Sequence, residues 1–232
     1  LENQTPEHET LYDVEVGYQY RTAKYGIQAN LYYMGYKNQL VLTGALNDVG
    51  SGLRTNVPDS YRMGVELQGN VAITDQLSFQ LNATVSQNKI GTFEEIVYDY
   101  TNGFDIETNT FEQTDIAFSP WGIFSSELAY QPINNLNIRL LSKYVSRQFL
   151  DNTSDENRQI DGYFVSDLRV DYGFGLGAIK ALNLSLAVNN VFDVEYSANG
   201  YTYNYIVGEK IVENFYYPQA GIHFLLGLSL KF

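Results

Sequence analysis

The sequence predicts an all-β protein, an antiparallel transmembrane β-barrel, and three observations support that prediction. Apolar and polar residues alternate with a period of two along most of the chain, as in strands that have one apolar face. Most alternating segments exceed the usual soluble strand and match the roughly 9–11 residues that cross a bilayer at a tilt. Short turns and long loops follow these segments in turn, which is the arrangement of an outer-membrane barrel.

Nine segments follow this alternation, and none has a helical period. They are residues 10–22, 25–39, 60–73, 76–89, 120–131, 136–149, 161–174, 182–192 and 220–232. The last segment shows the pattern well, since Phe224, Leu226 and Leu228 share one face while His223 and Ser229 share the other. We therefore expect nine strands, each with one lipid-facing side.

The connections between these strands differ in length from one end of the sheet to the other. Short turns are expected near residues 23, 74, 134 and 178, and long loops over roughly 40–59, 90–119, 150–160 and 193–219. Aromatic residues lie near both ends of the strands: Tyr20, Tyr25, Tyr33, Tyr36, Trp121 and Phe149. Rings at two levels suit the two aromatic girdles of a barrel, although strands are also enriched in aromatics for other reasons.

Composition excludes several classes of function. The 232 residues include 20 Tyr and 13 Phe, with only 18% charged residues, yet the mean hydropathy is only −0.24 and no window holds 18 consecutive apolar residues. The net charge of −13 argues against a nucleic-acid partner. With no Cys, two His and no Ser-His-acid arrangement, the sequence predicts neither an enzyme nor a bound cofactor.

An odd number of strands predicts a part of a larger barrel. Single-chain bacterial barrels have an even number of strands, and the polar start LENQTPEHE has no features of a signal peptide. We therefore expect an odd number of further strands before Leu1.

Three stretches resemble the TonB-dependent receptors of Bacteroidetes-type bacteria: residues 147–172, residues 182–203 with the element NNVFDVEY, and residues 216–232. Weaker similarity covers residues 40–67 and 76–93. The resemblance implies that residues 1–232 form the carboxy-terminal segment of a single 22-stranded β-barrel domain, with the plug domain and thirteen earlier strands absent. It also implies that Phe232 is the terminal aromatic that signals to the barrel-insertion machinery; a place in the inner girdle is the alternative.

The function that this resemblance implies is energy-coupled import of a scarce nutrient complex, of the ferric siderophore kind, across the cell outer membrane. The implied partners are outer-membrane lipid and lipopolysaccharide, the TonB complex, the insertion machinery and a small-molecule nutrient complex. A passive porin-like channel, a glycan importer of the same architecture and a soluble all-β binding module remain alternatives.

Two groups of residues are candidates for substrate contact. Tyr201, Tyr203 and Tyr205 lie in a ring-rich loop and offer rigid faces with polar tips, and His223 is expected to point into the lumen near its mouth. Packing of the loop rings on one another, and a hydrogen-bonded structural His, are the alternatives. On the strands, alternation places six charged residues on the lumen wall, as plug contacts or structural ion pairs: Arg62, Glu66, Arg139, Lys143, Asp167 and Arg169.

The long loop over residues 90–118 is acidic and contains neither Lys nor Arg. Its acids are Glu94, Glu95, Asp99, Asp105, Glu107, Glu112 and Asp115. Asp105, Glu107 and Asn109 have the spacing of a calcium loop, but Thr110 and Ile116 occupy the positions that require Gly and Glu, so an EF-hand is rejected. We expect a solvated acidic loop here and no metal site; a looser divalent site, or cation bridges to lipopolysaccharide, are the alternatives. His8, in an acidic lead, is expected to be solvated.

Overall fold

The computed structural model describes residues 6–46, 52–176 and 179–231, which form strands and connecting turns. No helix within these ranges is long and apolar enough to cross a membrane. The fourteen strands, in chain order, are β1 (Thr10–Arg21), β2 (Tyr25–Leu46), β3 (Gly52–Ala72), β4 (Leu77–Asp99), β5 (Asp105–Asp115), β6 (Gly122–Ile133), β7 (Leu136–Val145), β8 (Gln148–Phe149), β9 (Gln159–Ile160), β10 (Tyr163–Leu176), β11 (Ile179–Asn189), β12 (Ser197–Val207), β13 (Glu209–Pro218) and β14 (His223–Lys231).

Nine of these strands form a continuous antiparallel wall, in the order β1-β2-β3-β4-β6-β7-β10-β11-β14. They correspond one to one with the nine predicted strands, and each pairs with its neighbours in the chain order of that set. The sheet is open, with β1 and β14 at its two edges. The prediction of an antiparallel all-β sheet is thus confirmed.

Register gives the wall one apolar and one polar face. A single row across β6, β7, β10, β11 and β14 aligns Leu128, Leu140, Leu168, Val188 and Phe224. On the opposite face, Asn30 pairs with Glu66, and Glu66 pairs with Thr84. Val16, Leu31 and Phe224 are 65%, 55% and 74% exposed on the apolar face, so its side chains are not packed into a core of the described chain.

Three of the predicted long loops are largely strand, and in one of them β12 and β13 fill most of 193–219. β2 and β3 continue to Leu46 and from Gly52, so they fill most of 40–59 outside the undescribed residues 47–51, and β4 and β5 fill most of 90–119. The period-two pattern hides this extension because the buried positions change from one face of the strand to the other, from Ile90 to Phe93 and Val97 in β4. The ladders lack a pair at Asn38 and at Gln113, both of which have a φ of 56°, and then continue in the same register.

Smaller differences concern the strand ends and the aromatic girdle. β14 begins at His223 rather than at 220, and β7 ends at Val145, after which β8 pairs separately with β9. Phe149 is buried, with the Arg147 guanidinium 5.0 Å from its ring centroid, so its predicted place in the girdle is wrong. Tyr36 is also misassigned, since it alternates with the outward Tyr33 and is half-buried.

The buried core of the described chain lies at the long-loop end and not within the wall. Val41, Val57, Ile90, Phe93 and Ile116 form one buried cluster, with Phe111 packed against it. The wall has no comparable cluster because its apolar side chains point outward. This cluster therefore holds the long loops in fixed positions relative to one another.

Candidate functional site

Three long-loop regions meet at one buried ion pair, Arg158 and Glu95. Arg158, in the loop between β7 and β10, has a side chain only 1% exposed, and its guanidinium hydrogen-bonds Glu95 of β4. The same group lies 2.7 Å from a carboxylate oxygen of Asp151 and 3.5 Å from one of Asp155. A buried charge is tolerated only when paired, so this contact fixes the loop against β4.

Glu95 extends the network to a third region. Its side chain, 3% exposed, accepts a hydrogen bond from Asn204 of β12 and lies 3.1 Å from the Lys210 ammonium of β13. Burial lowers the pKa of Arg158, but the hydrogen bonds and charges of Asp151 and Glu95 outweigh it and raise the pKa above its ordinary value. The guanidinium therefore stays charged at every accessible pH.

β12 and β13 form an outer hairpin (Ser197–Pro218) that docks by one face only. Its even-numbered residues contact the 146–162 loop: Asn214 donates to the carbonyl of Asn157 at 2.6 Å, and the Tyr216 hydroxyl donates to that of Gln159 at 3.1 Å. A Cβ on Gly200 would lie 2.5 Å from the backbone oxygen of Phe215 and 3.1 Å from Leu150 Cδ2. Only glycine permits this approach.

The opposite face of the outer hairpin is the aromatic face, formed by Tyr201, Tyr203, Tyr205, Phe215 and Tyr217. Tyr201 and Phe215 stack with centroids 4.8 Å apart and planes at 12°, and Tyr203 meets Tyr201 edge-on at 5.6 Å. Tyr217 completes the cluster at 6.0 Å from Tyr201. Tyr205 lies further along β12, where its backbone pairs in parallel with that of Tyr98, near the end of β4. Alternation along β12 thus brings two of the three candidate tyrosines into ring contact.

His223 belongs to a different region, the rim of the wall. Its Nε2 lies 2.9 Å from Asn189 Nδ2, and its Nδ1 lies 2.9 Å from the carbonyl oxygen of Gly221. Asn189 in turn accepts from Arg169 at 2.6 Å, and Arg169 pairs with Asp167 at 3.1 Å. His223 is therefore hydrogen-bonded within the polar face of the wall.

The other lumen-wall candidates lie on the polar face at separate heights. Arg62 donates to the Ser119 hydroxyl at 2.9 Å, and Glu66 lies 3.5 Å from Asn30 Nδ2. Arg139 pairs with Asp171 at 3.2 Å. Lys143 is exposed on the same face. These residues line the wall without converging on one point.

The acidic stretch 90–118 differs from the expected solvated loop at one residue in particular. Glu95 is buried and paired with cations from two other loops, and Asp115 pairs with Lys89 at 2.9 Å. Across the described ranges, no group of three or more His, Asp or Glu side chains is placed to hold a metal ion. His8 is exposed, and Phe232 lies outside the described residues.

Arg158 is the residue that sequence reasoning missed. It is one of only two basic residues in 146–162, facing a segment that has acids and no base, and this charge imbalance was the available signal. Its pairing partner Glu95 lies 63 positions away, so only the folded chain brings them together.

Comparison with known proteins identifies the architecture. A family model described as TonB dependent receptor-like, beta-barrel, matches residues 7–191. No curated protein has a sequence that matches the chain.

Solved structures share the fold at low identity. The ferric yersiniabactin uptake receptor FyuA from Yersinia pestis has a TM-score of 0.64 and 19% identity, over 95% of this chain and 29% of its own. The siderophore receptor PiuA from Acinetobacter baumannii has a TM-score of 0.66 and 14% identity, over 95% and 28%. The copper transporter OprC has a TM-score of 0.65 and 19% identity, over 95% and 31%. The chain thus spans about 30% of the length of these structures.

Proposed function

The chain belongs to the family of TonB-dependent receptors, which are outer-membrane transporters and not enzymes, and on that premise we propose that the intact protein imports a small nutrient complex of the ferric siderophore kind. Energy for import comes from the TonB complex in this proposal. The observation that carries it is the family match over residues 7–191, on a sheet whose apolar face points outward and whose opposite face is polar.

This chain supplies part of the wall in the proposed transporter. Residues 1–232 form the carboxy-terminal segment of the barrel domain, while further strands close the barrel and a plug fills it. The apolar face contacts outer-membrane lipid, and the long-loop end reaches lipopolysaccharide. Phe232 is the assembly signal for the barrel-insertion machinery. The similar structures support a metal complex as cargo, since they include a ferric yersiniabactin uptake receptor, a siderophore receptor and a copper transporter.

The outer hairpin and the lumen wall have different proposed roles. Tyr201 and Tyr203, each more than one-third exposed, make the first contact with the complex, and Tyr205 supports them through its pairing with Tyr98 near the end of β4. Arg62, Glu66, Arg139, Lys143, Asp167 and Arg169 then contact the plug from the wall, and His223 lies at the rim where cargo enters the lumen.

Uptake in cells tests the proposal. A strain that lacks the gene should lose energy-dependent uptake of at least one radiolabelled iron complex from a panel of siderophores, and the intact gene should restore it. Collapse of the proton-motive force should abolish that uptake, whereas a passive channel would retain it. A variant with Tyr201, Tyr203 and Tyr205 all replaced by Ala should assemble normally and bind the complex more weakly.

Two results would contradict the proposal. One is uptake that persists unchanged without a proton gradient, which would indicate a porin-like channel. The other is normal uptake of every metal complex in the deletion strain with loss of growth on a glycan, which would indicate a glycan importer.

A further inference from the structure

The aromatic face is the only ring cluster on the outer hairpin that remains open to solvent, among the residues that the structure describes. Tyr201, Tyr203, Phe215 and Tyr217 are 39%, 36%, 40% and 52% exposed even though they contact one another. Stacking covers one face of Tyr201 and one of Phe215, and any ring face that stays open presents the negative side of its π system to solvent. Such a surface suits a cation or the flat side of a ring.

The charges of the hairpin are sorted between its two faces. Ser197–Pro218 contains three charged residues, Glu209, Lys210 and Glu213. Lys210 lies on the docked face, where its ammonium is 3.1 Å from Glu95. Glu209 and Glu213 share the odd-numbered face with the rings, and Glu213 is the cross-strand partner of Tyr203. The aromatic face therefore carries carboxylates and no cation.

The surroundings reinforce this negative charge. Residues 90–119, 146–162 and 190–222 together contain 15 Asp and Glu but three Lys and Arg. Two of those three cations, Arg158 and Lys210, already pair with Glu95, and the third, Arg147, donates to Gln159 at 2.9 Å. The three regions thus hold a surplus of twelve acids, which attracts cations and repels polyanions over a distance set by the ionic strength.

We propose that the aromatic face binds a positively charged group, so that the imported complex presents a cation where it meets the receptor. This inference rests on the proposed function and names the charge of its cargo. Rings and a neighbouring carboxylate together recognise ammonium groups, through cation–π and ion-pair attraction. A trianionic metal complex, such as a tris-catecholate, meets only repulsion here.

Three probes of one shape and different charge test the inference on the intact, purified receptor. Tetramethylammonium is positive, tert-butanol is neutral and pivalate is negative, and saturation-transfer NMR detects the methyl protons of each. Tetramethylammonium should bind with millimolar affinity, and the other two should bind at least about fivefold more weakly, since an exposed cation–π contact and a surface ion pair are each modest.

Two variants and one control localise the binding. Glu213→Gln should weaken tetramethylammonium binding by about threefold, and Tyr201→Ala combined with Tyr203→Ala should weaken it by about tenfold. The control is Glu156→Gln, which removes an equal charge from an exposed position in the neighbouring loop and should leave binding unchanged.

Either of two results overturns the inference. The first is pivalate or tert-butanol binding as tightly as tetramethylammonium, or no measurable binding of the cation. The second is cation binding that the face variants leave unchanged or that the control weakens equally, which would indicate diffuse attraction only. Since the measurement needs neither TonB nor a proton gradient, its failure is distinguishable from a failure of transport.

Discussion

At the residue scale, Asn190 is a connector at the rim of the wall. It is 3% exposed and has a φ of 50°, and its backbone N–H donates to Asp167 at 2.9 Å. Its side chain donates to the carbonyls of Val194 at 2.9 Å and Ala220 at 3.3 Å, and accepts from the N–H of Val194 at 2.9 Å. One side chain thus joins the end of β11 to the segments that enter and leave the outer hairpin.

Two substitutions of Asn190 should separate the contribution of its backbone conformation to the free energy of unfolding from the contribution of its side-chain hydrogen bonds. Asn190→Ala removes buried hydrogen bonds and leaves a Cβ at positive φ, so the free energy of unfolding should fall by about 2–4 kcal/mol. Asn190→Gly removes the same bonds without the backbone strain and should cost about 1 kcal/mol less. Urea unfolding of the intact receptor measures both, and Asn102→Ala, at an exposed turn, is the control. Equal stability of all three variants would contradict this role.

At the scale of elements, the outer hairpin depends on the 146–162 loop and on β4 for its position. The contacts include a hydrogen bond from Asn204 to Glu95, the Lys210–Glu95 ion pair, two hydrogen bonds to loop carbonyls, and a brief parallel pairing at Tyr98 and Asp99. Arg158 holds Glu95 from the loop side. The aromatic face and the contacts that hold the hairpin in position therefore lie on opposite faces of the outer hairpin.

Loss of the Arg158 cation should loosen this hairpin more than the wall. Arg158→Met leaves Glu95 and Asp151 partly uncompensated in a buried site, a change that typically costs about 3–5 kcal/mol. Amide hydrogen exchange should then accelerate in Ser197–Pro218, while β10 and β11 keep their protection. Lys24→Met, which removes an exposed cation from the short turn between β1 and β2, should change neither. Unaltered exchange in the hairpin of the Arg158 variant would show that the ion pairs do not anchor it.

How much could be predicted from sequence also depends on the element. The nine wall strands were predictable because each meets apolar surroundings on one side only, and that condition imposes a period of two. The outer strands were not, because the buried positions change face near residues of positive φ such as Gln113, which interrupts the period of two. The Glu95–Arg158 pair was not predictable either, since Arg158 stands in a polar run and its partner lies 63 positions away, so the pairing exists only in the folded chain.

At the scale of the whole molecule, burial is distributed in the reverse of a soluble sandwich. Large apolar side chains such as Leu226, 75% exposed, cover the outward face of the wall, whereas the closely packed cluster lies among the long loops. Water would not tolerate so large an apolar surface, but lipid would. The distribution of apolar side chains thus accounts both for the outer-membrane location of the wall and for the packing of the long loops.

Arginine at two adjacent positions of β11 tests this orientation at a single depth. Leu184 lies on the apolar face between Tyr172 and Leu228, and Ser185 lies on the polar face, where its hydroxyl donates to Asp171 at 2.7 Å. Leu184→Arg places a charge against hydrocarbon, which costs about 2–4 kcal/mol near the bilayer midplane, whereas Ser185→Arg places it beside a carboxylate. The amount of heat-modifiable, folded receptor in outer membranes should therefore fall for Leu184→Arg and stay near normal for Ser185→Arg. If the serine variant were the one that failed to assemble, the apolar face would have to point inward, and the wall could not be the lipid-facing surface of a barrel.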